Sequence, residues 1–217
     1  MEALSGKVPF VKTWVHAGFL TIDGRRMGKS MGNFITIRDV AAKGYDGAEL
    51  RTLFLQSHYR SELNFSWDLL DAAKNRYQTW TAAADMVFQL SESRPEAPDL
   101  EELFQAMLAD MANDLDTPHA IMKLDAFAAA IEQGRYPTIE QLGAFLAQVD
   151  SLLGLRLSNR SDITDEAKQL IKQRTEARTD KDWALSDSIR DELMDTYGIA
   201  VKDTPGGQTY WTKLKAG

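Results

Sequence analysis

The stretch "GRRMGKSMGNF" (Gly24–Phe34) decides how this chain is read. It holds three cations, three glycines and a serine, and no apolar periodicity. A segment with neither a two-residue nor a 3.6-residue apolar repeat cannot supply a core strand or a buried helix face. On composition two readings stand: a turn-rich surface loop, or a loop that closes on an anion. The spacing differs from G-x-x-x-x-G-K-[ST], so it is not a Walker-type phosphate loop. Charge distribution favours the anion. Residues 1–60 carry nine Lys/Arg against five Asp/Glu, whereas the other 157 carry sixteen against twenty-seven. The basic part of an acidic chain therefore coincides with the loop.

The bulk composition bounds the rest. A chain of 217 residues accommodates one large domain or two to three small ones. A net charge of −7 argues against wholesale coating of nucleic acid or of an acidic membrane. The absence of cysteine removes disulfides, thiolate zinc sites and cysteine nucleophiles, and fits a reducing cytoplasm. No run of about 18 apolar residues occurs, so no membrane partner is expected. The N-terminus lacks the basic-then-apolar pattern of a secretion signal. His16, His58 and His119 are far apart in sequence, so no metal site is expected from this chain alone.

Outward from the loop, residues 8–22 ("VPFVKTWVHAGFLTI") read as two short strands, with Asp23-Gly24 a turn pair. Ile35, Ile37 and Val40 lead into a short helix or turn. Asp46 with Glu49 marks a helix start, with Leu50, Leu53 and Phe54 as its apolar stripe. Ser66 caps a long helix carrying Leu70, Ala73, Tyr77, Trp80, Ala84 and Phe88 at helical spacing. Trp67, Trp80, Met107 and Met111 read as core. "SESRPEAPD" (91–99) is a polar break. Leu103, Met107, Leu108, Met111 and Leu115 mark the next helix, and "DTP" (116–118) opens another with Ile121, Leu124, Phe127, Ala128 and Ile131 inward. Thr138 and Gln141 form a capping box for a helix burying Leu142, Phe145, Val149 and Leu152 and stopped by Gly154. "LSNRSD" (157–162) reads as a linker to two charged helices, near 164–178 and 182–197, ended by Gly198. "IAVKDTPGGQTYW" then predicts a hairpin around a Pro-Gly-Gly turn. The expected fold class is mainly α with small α/β parts: residues 1–64 holding the loop, a helical bundle over 65–157, and a small α/β unit over 158–217.

The order Arg26-Met27-Gly28-Lys29-Ser30 resembles the KMSKS motif of class I aminoacyl-tRNA synthetases, here as R-M-G-K-S. The longer strings "PFVKTWVHAGFLTIDGRRMGKSMGNFITIRDV" and "LRTLFLQSHYRSELNFS" resemble the end of the catalytic core of cysteinyl-tRNA synthetase. "MANDLDTPHAI" and "ARTDKDWALSDSIRDEL…GIAVKDTPGGQTYW" are similar to later blocks of that family, in order. The resemblance implies the last part of a class I Rossmann-type core, a DALR-like bundle and an anticodon-binding domain.

It also implies roles. In such enzymes the amino-acid carboxylate attacks the α-phosphate of ATP, and charge builds on the departing pyrophosphate. A lysine on a loop that closes late favours that state. Lys29 matches the motif's second lysine and is the implied catalytic residue, with Arg26, Met27, Gly28 and Ser30 beside it in the ATP-binding loop. Arg26 replaces the first lysine, and the two cations are not interchangeable. Gly28 replaces a serine, removing a hydroxyl and adding backbone freedom. Arg178, Asp187 and Asp203 are implied to read anticodon base edges, with Trp183 or Trp211 as a stacking surface. The family's partners would be ATP with Mg2+, cysteine, tRNA(Cys), and zinc.

Some of the family pattern is missing. "VHAGF" (15–19) has Phe19 where an H-x-G-H motif needs its second histidine, and the cysteine/zinc pocket residues are absent. The resemblance begins at "EALSG", so the chain is expected to be the C-terminal half of such an enzyme and not to activate cysteine alone. The full-length enzyme is expected to be a monomer. His58 and Arg60 either face the substrate side or pair at a helix end. The rival functions are a cysteine–amino-sugar ligase with the same adenylation chemistry, and a non-catalytic tRNA- or protein-binding module.

Overall fold

The computed structural model describes residues 2–90, 96–203 and 209–214. After a short helix α1 (Glu2–Ser5), a three-stranded sheet forms from β1 (Leu20–Ile22), β2 (Arg25–Arg26) and β3 (Leu63–Phe65), in the order β2-β1-β3. β1 and β2 are antiparallel, with Thr21 opposite Arg26, and their turn is Asp23-Gly24, both at positive φ (49° and 72°). That left-handed pair matches the twist of a tight hairpin. β3 runs parallel to β1 and anchors the turn: Asn64 Oδ1 accepts from Gly24 N at 2.7 Å, and Asp23 N donates to Phe65 O.

Only the last three residues of 8–22 are strand, which corrects the reading of two strands there. Trp14 and Phe19 are exposed, and so are Val8 and Val15. A β-propensity run becomes strand only where a ladder partner lies alongside. Here the first contact of that kind is Gly18 N donating to Tyr59 O, followed by Leu63 N donating to Phe19 O. The approach at Gly18 is close enough that a Cβ would stand 2.1 Å from Ser61 O, so only glycine passes.

Helices α2 (Ile37–Ala42) and α3 (Gly47–Leu55) pack on this sheet, each opened by a reciprocal capping box, Thr36 with Asp39 and Asp46 with Glu49. Their core joins Ile22, Val40, Leu50, Leu53, Phe65 and Leu70. Phe54, expected inside, is exposed.

The bundle comprises α4 (Trp67–Ala84), α5 (Leu100–Ala112), α6 (Thr117–Glu132) and α7 (Ile139–Leu153). Ser66, Asp116 and Thr138 cap three of these as the sequence predicts, each cap worth about 1 kcal/mol. Trp80, Met107, Leu124, Phe127 and Phe145 are fully buried, and each contributes about 1.5–3 kcal/mol relative to exposure. Trp80 Nε1 donates to Asp125 Oδ1 at 2.8 Å, which keeps its one polar atom satisfied. Trp67 and Met111 are only partly buried. Leu115, expected on α5, lies beyond it: Asp114 and Leu115 both take positive φ, turning the chain so that Leu115 is exposed. Phe88 falls in a 3-10 turn (Asp85–Phe88) and is partly exposed.

α8 (Asp165–Thr179) and α9 (Trp183–Tyr197) cross against a hairpin of β4 (Ile199–Asp203) and β5 (Thr209–Lys213). Gly154 and Gly198 stop their helices in the left-handed region, as expected. Residues 91–95 of the polar break and the Pro205-Gly206-Gly207 turn lie outside the described residues. Among the described residues, no helix is long and apolar enough to cross a membrane.

The 157–162 segment is not the solvated linker its composition suggests. Leu157 is buried, Asp150 accepts from Leu157 N, Ser158 N and Ser158 Oγ, and Arg160 enters the interior. There Asp85, with no exposed surface, takes both Arg160 Nε and Nη2, Thr212 Oγ1 at 2.9 Å and Lys213 N at 3.0 Å. Gln89 adds two bonds to Trp211, donating to its O and accepting from its N. One carboxylate thus joins bundle, connecting segment and terminal hairpin. Asp85→Asn is expected to lose about 3–5 kcal/mol by leaving Arg160 buried without its charge partner, read as a fall in the urea midpoint.

Candidate nucleotide loop and nucleic-acid interface

The loop leaves the β1–β2 hairpin and folds back on itself. Asn33 closes it: its Oδ1 accepts from Gly28 N at 3.0 Å and its Nδ2 donates to Arg26 O at 3.1 Å. Between them a single 3-10 turn (Lys29–Met31) ends at Gly32, whose φ of 68° is left-handed. Met27 is the one apolar anchor, packing with Leu20 and Ile35 against the small sheet's core. Anchored at Met27 and pinched by Asn33, the segment presents Arg26, Lys29 and Ser30 outward. Among the described residues no carboxylate lies within ion-pairing distance of Arg25, Arg26 or Lys29. Lys29 Nζ instead stands 5.5 Å from the Phe34 ring centroid, and the Arg26 guanidinium 5.8 Å from that of Phe19. Rings hold these cations weakly, leaving them available to a stronger anion.

Gly28 has φ −166° and ψ 145°, ordinary extended backbone. The expected gain in freedom is therefore not used in this conformation. A Cβ there would meet Met31 Cγ at 3.7 Å, an ordinary contact. Gly28→Ser is expected to leave the unfolding free energy within about 0.5 kcal/mol of wild type, measured by urea unfolding.

The other predicted residues gather on the terminal unit. Asp203 takes a bidentate pair from Arg174 (both 2.8 Å), a contact from Arg178 Nη1 at 3.3 Å and a hydrogen bond from Thr209 Oγ1 at 2.7 Å. The Arg174 hydrogen bonds, with Thr209 and the neighbouring guanidiniums, hold its carboxyl down at about 2. Arg178 in turn lies 5.6 Å from the ring centroid of Trp183, which is 55% exposed. Asp187 is exposed on α9, paired with Arg190 at 3.0 Å. Trp211, offered as a stacking alternative, is buried and stacked on Phe88, so only Trp183 presents a free face. Arg174 is the residue sequence reasoning missed. Its signal was present: it falls on the Ala167, Leu170, Ile171 stripe, a charged residue at an inward position.

His58 and Arg60 pair rather than reach outward. Arg60 makes a bidentate bridge to Asp114 (2.7 and 2.9 Å), Tyr59 Oη donates to the same carboxylate, and His58 Nε2 sits 2.9 Å from Asp114 O. The "SHYR" segment thus fastens β3 to the turn between α5 and α6. The Arg60 and Tyr59 hydrogen bonds lower the Asp114 pKa.

Comparison with known proteins agrees with this layout. Residues 1–75 match the class I (C) tRNA synthetase catalytic domain, and residues 160–211 match the cysteinyl-tRNA ligase anticodon binding domain. A cysteine–tRNA ligase of Chlamydia pneumoniae is 37% identical over 218 residues, covering 95% of this chain and 46% of the relative. Those of Bacillus pumilus (34%, 98% and 48%) and Pseudomonas paraeruginosa (37%, 96% and 46%) align similarly. The chain belongs to the cysteinyl-tRNA ligase family. It spans about half the length of the curated relatives it matches. Within that family the mainly helical fold class, with small sheets at either end, agrees with expectation.

Because the Asp203 carboxyl is held near 2, its contribution to stability is complete above the ordinary aspartate value near 4. It is lost as pH falls from there through about 2. Asp203→Asn is expected to cost on the order of 1–2 kcal/mol at pH 7 and to flatten the stability curve across that acid window, measured by urea unfolding at stepped pH.

Proposed function

We propose that this chain supplies the phosphate-handling loop and the tRNA-binding units of an ATP-dependent ligase that joins cysteine to tRNA(Cys). The observation that carries the proposal is a pinched, anchored loop whose cations face outward with no carboxylate partner among the described residues. Within it Lys29 would neutralise the departing pyrophosphate, and Arg26 would contact the ATP phosphates from the motif's first position. Gly28 and Ser30 would flank Lys29 in the ATP-binding loop, with the Gly28 amide held by Asn33, and Met27 anchors the loop. ATP, bound with Mg2+, would supply the adenylyl group that the amino-acid carboxylate takes up as pyrophosphate leaves.

The residues present do not fit the family's zinc. The chain has no cysteine, and among the described residues no group of three His, Asp or Glu side chains could hold a metal ion. No step is therefore assigned to zinc on this chain. Cysteine would be activated only together with further catalytic-domain residues, so this chain by itself is proposed to be inactive in adenylation. The working partition is 1–64 for the end of the catalytic core, 65–157 for the bundle and 158–217 for the anticodon unit. Three hydrophobic clusters, centred on Leu53, Phe127 and Leu193, support that partition. A monomeric assembly in the cytoplasm accompanies the reading.

On the terminal unit Arg178 and Trp183 are proposed as a base-gripping pair, cation and exposed ring together. Asp203, engaged by Arg174, Arg178 and Thr209, would act on a base through the Arg178 guanidinium it aims, and Asp187 would lie at the edge of the site. The match to an anticodon-binding family favours this function over the amino-sugar ligase, whose substrate has no anticodon.

The deciding experiment is ATP–pyrophosphate exchange with the chain joined to the remaining catalytic domain of a relative. Lys29→Ala is expected to lower kcat by about 100-fold or more with an unaltered fold. Unchanged exchange would refute the assignment.

A further inference from the structure

Two adjoining clefts run along the seam where the three units meet, with cavity volumes of about 460 and 310 Å3 and Arg156 and Asn159 shared between them. One wall is the start of α3, with Arg51. The other is the segment that follows α7. That segment alternates: Leu155 and Leu157 are buried, and Arg156 between them is turned outward at φ 60°. Arginine rarely adopts that left-handed conformation, and glycine adopts it freely. The position therefore keeps a guanidinium at the cleft against the preference of its backbone.

Arg51 is placed with equal definition. Its Nη1 donates to Leu153 O at 3.3 Å, and its guanidinium lies against Gly154, where a Cβ would stand 3.4 Å from Cζ. The carboxylates along the seam are already engaged. Asp150 holds three donors of the 157–158 segment, Asp46 caps α3, and Asp85 is saturated by Arg160, Thr212 and Lys213. Neither Arg51 nor Arg156 has a carboxylate within ion-pairing distance among the described residues. Two planar donor forks beside a polar cleft match the oxygens of a phosphodiester. With Lys213 of the terminal hairpin lining the second cleft, one backbone following the seam would touch all three units.

We propose that this seam is a phosphodiester site, in which Arg51 and Arg156 hold the backbone of a bound RNA. The inference rests on the tRNA-ligase reading above and adds a contact surface away from both the Lys29 loop and the Arg178–Trp183 pair.

The test is binding of a cysteine-tRNA transcript to the full chain, by fluorescence anisotropy, across a salt series. Arg51→Gln and Arg156→Gln are each expected to reduce the slope of log affinity against log salt by about one. Arg156→Gly separates charge from backbone. It relieves the left-handed φ, so its thermal midpoint should equal or exceed wild type while its salt slope falls as for Arg156→Gln. Wild-type slopes in the glutamine variants, or wild-type binding by Arg156→Gly, overturn the inference and leave the ligase reading standing. A wild-type chain that retains no tRNA at any salt concentration overturns both. Inorganic phosphate at matched ionic strength should not raise the thermal midpoint. Stabilisation by phosphate, with RNA slopes untouched by the variants, assigns the cleft to a free anion and also overturns the proposal.

Discussion

The buried Asp85–Arg160 pair is the constraint on which the arrangement of the units depends. A carboxylate with no exposed surface is tolerable only when its lone pairs are taken, and this one has four donors from two separate segments. Because those donors come from the 157–162 segment and from β5, satisfying the charge also sets where the terminal hairpin lies on the bundle. Apolar contact alone would tolerate sliding, whereas a directional bidentate pair does not. Gln89, bonded twice to the backbone of Trp211, repeats the logic one turn further on.

The same device recurs at the other junction. Asp114, at a left-handed φ between α5 and α6, gathers Arg60 and Tyr59 through its carboxylate and His58 through its carbonyl. Those three residues lead directly into β3, and β3 holds the hairpin from which the lysine loop departs. The loop's base is thus tied by short links to the bundle, while its tip has no such tie. A segment fixed at its root, with aromatic faces beside its cations, suits the proposed closure onto a phosphate. The exposed apolar side chains of residues 8–19 belong to the same unit and show that its sheet offers them no cover.

At the far end, the acidic character of the chain does not by itself oppose RNA binding, because the carboxylate nearest the Arg178–Trp183 pair is neutralised within the fold. Asp203 is consumed by Arg174, Arg178 and Thr209, and its effect on a ligand would run through the guanidinium it orients beside Trp183. Net charge describes the whole surface, whereas recognition depends on which cations are left without partners.

Helix caps and stripes were legible in the residues, since Asp46, Ser66, Thr138, Gly154 and Gly198 act through neighbours three or four positions away. That residues 27–34 form a loop was legible too, because the stretch carries no apolar period. What failed to read were features decided by distant partners. Residues 8–19 have strand composition but no ladder, and "LSNRSD" has linker composition but an arginine buried against a carboxylate 75 positions away. Arg174 escaped notice, and Trp211 changed meaning, for the same reason. Local sequence by itself determined where the capped helices start and stop and which family the chain resembles, because those depend on short-range bonding and residue order. Only the tertiary structure decided which charges are neutralised and which remain free, because that depends on what the fold brings within about 3 Å of each group.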